Sequence, residues 1–97
     1  MPTYITLFKW TEQGVKDIKN APARITASTK TVQELGGKPL GVYVTMGEYD
    51  LVSITEWPND EAAATTALAI CSRGNARTIT MRAFTTPEFA EIAKKLP

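Results

Sequence analysis

The 97-residue chain, 43% of it apolar, is long enough for one domain with a modest core. Eleven Lys and Arg against ten Asp and Glu leave a net charge of +1, so there is neither the basic face that nucleic acid requires nor a polybasic cluster for an anionic membrane. With no His and a single Cys, Cys71, the chain lacks the commonest metal ligand, has no Ser-His-Asp or Cys-His site of its own, and closes no internal disulfide.

The first strand is expected over Tyr4–Trp10, with Ile5 and Leu7 on one side and Tyr4, Thr6, Phe8 and Trp10 on the other. Thr11 to Gly14 breaks this alternation, and Val15 and Ile18 suggest a short helical turn. Asn20-Ala21-Pro22 is a helix start, and Ile25, Ser28, Thr29, Val32 and Leu35 fall on one face of the helix that follows. Gly36-Gly37 ends it.

Pro39–Met46 predicts the second strand, with Leu40, Val42 and Val44 opposite Gly41, Tyr43 and Thr45. A tight turn at Met46–Tyr49 leads to a third strand over Tyr49–Trp57. Asp50, Val52, Ile54 and Glu56 share one of its faces; Tyr49, Leu51, Ser53, Thr55 and Trp57 share the other. Pro58-Asn59-Asp60-Glu61 caps a second main helix to Arg73, Ala-rich and uncharged between Glu61 and Arg73. Ala76–Phe84 is the fourth strand, with Ile79 and Met81 opposite Thr78, Thr80 and Arg82. Thr85-Thr86-Pro87-Glu88 opens a last helix to Leu96, with a Phe89, Ile92, Ala93, Leu96 stripe.

The order βαββαβ plus a tail helix predicts an α+β, ferredoxin-like domain over residues 1–97, a four-stranded antiparallel sheet with both main helices on one face. The more aliphatic set, Ile5, Leu7, Leu40, Val42, Val44, Val52, Ile54, Ile79 and Met81, is expected to meet the helices. The remaining face mixes hydroxyls with Phe8, Trp10, Tyr43 and Trp57. Such a face is expected to be covered by another copy of the chain and to leave a part-polar cavity there.

Several segments in order carry a resemblance: Tyr4-Ile5-Thr6-Leu7 with Lys9-Trp10-Thr11-Glu12-Gln13-Gly14, Gly36-Gly37-Lys38, Gly47-Glu48-Tyr49-Asp50, Gly74-Asn75-Ala76-Arg77-Thr78 and Arg82-Ala83-Phe84-Thr85. Nearly end to end, the chain resembles the GYD-domain family of small bacterial and archaeal proteins. Glu48 interrupts the naming triad, since Gly47 and Tyr49-Asp50 flank it. The resemblance implies a homodimer or higher oligomer of the dimeric α/β-barrel type. It implies no particular reaction.

Thr6, Phe8, Tyr43, Ser53, Thr55, Thr80 and Arg82 are the candidate ligand-binding residues, with Arg82 offered to a carboxylate or enolate oxygen. Asp50 is either a structural anchor at a strand end or an acid/base whose pKa burial sets. Cys71 reads as a small buried residue. Pro2 follows Met1, so its nitrogen is a tertiary amide and no base. Neither a metal nor a cofactor is expected, because His and a Gly-rich phosphate loop are both missing. No apolar run approaches about twenty residues and the N-terminus lacks signal-peptide character. The expectation is therefore a cytoplasmic, non-membrane protein that partners itself and a small molecule. The favoured reading is an oligomeric small-molecule-binding protein. A cofactor-independent oxygenase, isomerase or lyase acting on a small aromatic or carbonyl substrate is the alternative, and a structural assembly protein is a third.

Overall fold

The computed structural model describes residues Met1–Pro97. Its elements are β1 (Thr3–Trp10), α1 (Glu12–Lys16), a 3-10 turn (Ile18–Asn20), α2 (Ala21–Glu34), β2 (Lys38–Val44), β3 (Leu51–Glu56), α3 (Asp60–Ser72), β4 (Ala76–Ala83) and α4 (Thr86–Lys94). The sheet order is β2-β3-β1-β4 and every pairing is antiparallel. This is the ferredoxin-like arrangement.

Helix starts follow local chemistry. Thr11 accepts the Gly14 amide at the start of α1, Asn59 accepts the Ala62 amide at the start of α3, and Pro22 lies in the first turn of α2. Thr85 and Glu88 exchange hydrogen bonds in a full capping box at α4. Between β2 and β3 the connection is longer than a tight turn. It runs Thr45–Asp50 and is closed by two bonds from Thr45, its amide to the Asp50 carbonyl at 2.9 Å and its hydroxyl to the Tyr49 carbonyl at 2.6 Å.

Cross-strand partners share a face, so the registers assign both faces row by row. One face carries the rows Val42–Ser53–Thr6–Thr80, Val44–Leu51–Phe8–Thr78 and Pro39–Thr55–Tyr4–Arg82. The other carries Tyr43–Val52–Leu7–Ile79 and Gly41–Ile54–Ile5–Met81. The helices lie on the first. Tyr4 and Trp57 cluster with Val32 of α2 and Ala63 of α3, and the Tyr4 hydroxyl donates to the Asp60 carboxylate on α3. In β3, Leu51, Ser53 and Thr55 are buried, while Val52, Ile54 and Glu56 are only half-buried.

This reverses the expected assignment of faces. Ile5, Leu7, Val52, Ile54, Ile79 and Met81 form the open face, and the hydroxyl-and-aromatic set lies beneath the helices. Alternation specifies which residues travel together but not which set the helices cover. Tyr43 is a second correction. The connection Thr45–Asp50 pairs Val44 with Leu51 and so Tyr43 with Val52, which places Tyr43 on the open face, 61% exposed. Val42 and Val44 do face the helices, but beside Ser53 and Leu51 rather than Val52. A bulge between Pro39 and Gly41 takes Leu40 out of the regular pairing.

The corner where α2 hands over to β2 depends on a close approach. A Cβ on Gly37 would sit 2.7 Å from the Trp57 ring, so only glycine lets that ring lie against the backbone. At the other extreme, α4 makes few contacts with the rest of the chain, and Phe89 and Leu96 are exposed. The molecule is correspondingly long and thin, 51 × 30 × 18 Å.

Candidate functional site

A cavity of about 180 Å³ lies between α2 and the sheet, closed off by the end of α3 and the start of β4. From the sheet come Phe8, Trp10, Val42, Leu51, Ser53 and Thr55; α2 adds Arg24, Ile25, Ser28, Thr29 and Val32; Ile70, Arg73, Asn75 and Ala76 complete the wall. The α2 contribution reflects helical spacing, since Ile25, Ser28, Thr29 and Val32 share one face. A smaller space of about 30 Å³ adjoins it, shares Phe8, Val32, Ser53, Thr55 and Ile70, and adds Thr6, Thr66, Thr78 and Thr80. That is room for about one water molecule.

The polar groups are few and specific. Thr6 and Thr80 hydroxyls meet each other at 3.3 Å, and Thr78 meets the Cys71 sulfur at 3.3 Å. Thr29 returns its hydroxyl to the Ile25 carbonyl. Ser28, Ser53 and Thr55 line the cavity without a side-chain hydrogen bond to the rest of the chain, and no enclosed side-chain polar atom lacks a partner. Their hydroxyls are therefore without a protein partner.

Two arginines are the charged residues of the lining, and no Asp or Glu accompanies them. Arg24 is engaged: it donates to the Asp17 carbonyl at 2.6 Å and the Gly14 carbonyl at 3.1 Å, and its guanidinium lies 3.4 Å from the Asp17 carboxylate. Arg73 donates to the Thr31 hydroxyl at 3.2 Å and has no carboxylate within ion-pair distance.

Two distant stretches of sequence build this end of the cavity. The Thr11 amide donates to the Asn75 carbonyl at 3.0 Å, and the Thr11 hydroxyl to the Gly74 carbonyl at 2.5 Å. Gln13 donates to the Arg73 carbonyl at 3.1 Å and the Asn75 side-chain oxygen at 2.9 Å. Gly14 packs so closely that a Cβ would lie 2.2 Å from the Asn75 carbonyl oxygen. The clasp brings Trp10, Arg73, Asn75 and Ala76 into one wall.

Of the expected ligand-facing residues, Phe8, Ser53 and Thr55 line the main cavity, and Thr6 and Thr80 line only the small space. Tyr43 is on the opposite face. Arg82 lines neither; it donates to the Thr3 and Ala83 carbonyls, and its guanidinium lies 4.5 Å from the Phe84 ring centre and 5.8 Å from that of Tyr4. The side chain expected to meet a carboxylate or enolate oxygen thus lies against two aromatic rings. Beside it, the hydrogen bond to Asp60, followed by desolvation and that carboxylate's charge, raises the Tyr4 pKa above its ordinary 10.0.

Asp50 lines neither cavity and is bonded to backbone on three sides. Its carboxylate accepts the Trp10 amide at 2.9 Å, its amide donates to the Phe8 carbonyl at 2.8 Å, and its carbonyl accepts the Thr45 amide at 2.9 Å. Sequence reasoning missed Arg24 and Arg73 as site residues. Arg24 had a usable signal, because it lies four residues before Ser28 on the cavity side of α2.

The GYD domain model matches residues 4–93. A curated relative from Thermus thermophilus, named glutamine synthetase and cystathionine beta-lyase binding protein, is 30% identical over 84 residues, 86% of this chain and 88% of that one. Among solved structures, TTHA0845, also from Thermus thermophilus, superposes with a TM-score of 0.58 at 25% identity, over 89% of this chain and 96% of that one. The leucine response regulatory protein LrpA of Mycobacterium tuberculosis shares the fold, with a TM-score of 0.65 at 16% identity over 88% of this chain and 51% of its own.

Proposed function

The chain belongs to the GYD domain family, and from that premise we propose that it is an oligomeric binding protein that holds a small molecule between helices and sheet. The observation that carries this reading is the cavity of about 180 Å³, with mostly apolar walls and with Ser28, Ser53 and Thr55 in its lining. Ligand sites are typically concave, mostly apolar and furnished with a few convergent polar groups. The cavity lies on the helix side of the sheet, not the open side where the sequence placed it.

The open side supports the oligomeric half of the proposal. Leu7, Ile5, Val52, Ile54, Ile79 and Met81 make contiguous apolar rows across three strands. A second copy, sheet against sheet, buries these rows on both chains at once, as a two-fold interface requires. The dimeric α/β-barrel type of assembly has this geometry. No apolar stretch of helix is long enough to cross a membrane, and a cytoplasmic setting belongs to the same proposal.

A second reading takes its support from the Thermus relative, whose printed name describes binding to two enzymes. In this chain, the exposed Phe89 and Leu96 of the poorly packed C-terminal segment offer a surface for such a role. Native mass spectrometry of the full chain, captured from cell extract, separates the readings. An oligomer that carries a small molecule supports the first. An oligomer without one, bound to a second protein, replaces it with the second.

A further inference from the structure

We propose that the helix–sheet cavity takes a small aromatic carboxylate, its anionic end held by Arg73 and its ring lodged among Trp10, Phe8, Ile25 and Leu51. The inference rests on the cavity being a ligand site and adds the chemistry of the ligand.

Size sets the first limit. An apolar cavity of about 150 Å³ accommodates benzene. The space here, about 180 Å³, holds one ring with a short substituent rather than a fused ring system. The second limit is charge. Two arginines and no Asp or Glu belong to the lining, so a cationic ligand would find no counter-charge there. Arg24 already faces Asp17 and donates to two backbone carbonyls. Arg73 has one hydrogen bond, to Thr31, and no counter-charge. A guanidinium offers five N–H donors in a planar fork that matches a carboxylate at two points. Arg73 thus has donors to spare for one carboxylate, whereas a phosphate dianion calls for more positive charge than this single free group supplies.

The backbone around Arg73 is held in place. Its carbonyl accepts from Gln13, and its amide donates to Ile70, closing the end of α3. The clasp between the Thr11–Gly14 and Gly74–Asn75 segments therefore positions Arg73 while leaving the side chain itself exposed to solvent. An anion can enter at that exposed rim and keep part of its hydration. Inside, the hydroxyls of Ser28, Ser53 and Thr55 are free to meet a hydroxyl or keto oxygen on the ring or its side chain.

The test uses phenylacetate and its neutral isostere, phenylacetamide, titrated into the full chain and followed by calorimetry and by Trp fluorescence. Phenylacetate is expected to bind at least about tenfold more tightly than phenylacetamide, the scale of a charge-assisted hydrogen bond. Arg73→Gln is expected to erase that preference with the melting temperature unchanged, and Arg73→Lys to retain part of it. Ile25→Trp fills the cavity and is expected to abolish binding of both ligands. Equal affinities, indifferent to Arg73→Gln but lost in Ile25→Trp, overturn the carboxylate assignment and leave the cavity as a site for neutral ligands. Absence of phenylacetate binding at millimolar concentration also overturns the assignment. The reading of the cavity as a ligand site falls separately, if the native oligomer from cell extract carries no small molecule.

Discussion

The Asp50 carboxylate receives the Trp10 amide just where β1 ends, and the Asp50 backbone joins both Phe8 and Thr45. One residue thereby ties the β2–β3 connection to the neighbouring strand. Asp50→Ala leaves the Trp10 amide without its acceptor and is expected to cost about 1–2 kcal/mol in urea unfolding. Asp50→Asn, which keeps an acceptor oxygen, should cost less. If both variants unfold like the parent, the anchoring role is wrong. Gly14 acts by close approach. A methyl group there meets the Asn75 carbonyl oxygen at 2.2 Å, a contact that only backbone movement relieves. Gly14→Ala is expected to destabilise the fold by roughly 1–3 kcal/mol, read from the denaturation midpoint, and to perturb Trp10 fluorescence because Trp10 shares that corner.

Among the elements, α4 depends most on its own local chemistry, since it packs little against the rest. Its capping box holds the Glu88 carboxylate against the Thr85 amide at 2.8 Å. The backbone hydrogen bond from Thr85, then the one from its side chain, lowers the Glu88 pKa below the ordinary 4.5. A lowered folded pKa means that the carboxylate form is favoured in the folded helix. Its contribution is present above pH 4.5 and disappears as pH falls through the lowered value. The Thr85 amide resonance should therefore titrate with a midpoint below 4.5; a midpoint at or above that value would show that the box does not form in solution. Elements were largely legible from the sequence for the same local reason. Asn59, Thr85, Pro22 and Gly36 are signals confined to one turn of backbone. The expected start of β3 at Tyr49 is two residues early: the strand begins at Leu51, and Asp50 before it bonds Phe8 and Trp10, partners about forty residues away that local pattern does not reveal.

At the scale of the whole molecule, the unresolved demand is the apolar open face of the sheet. A single copy leaves Ile79 49% and Met81 41% exposed, in rows that continue across β1 and β3. Sedimentation equilibrium of the full chain is expected to show a dimer or a larger even-numbered assembly. Ile79→Glu places a charge in the middle of the face and should raise the dissociation constant more than about tenfold, without loss of helical circular dichroism. A parent protein that is monomeric at micromolar concentration would remove the sheet-to-sheet interface.

Strand alternation, caps and breakers determine the elements, their order and the antiparallel ferredoxin-like class, because each signal acts within a few residues of chain. They also determine that Ser53, Thr55, Thr6 and Thr80 lie on one side of the sheet and Ile5, Leu7, Val52 and Ile54 on the other. Only the tertiary structure decided which side the helices cover. Neither side has the Lys- and Glu-rich pattern of a solvated face, so burial alone favours neither, and the path of the connecting helices across the sheet chooses. The same step brought Arg24 and Arg73 to the cavity. They lie far apart in sequence, and Arg73 joins the lining beside the clasp between Thr11–Gly14 and Gly74–Asn75, whose hydrogen bonds link the ends of β1 and β4.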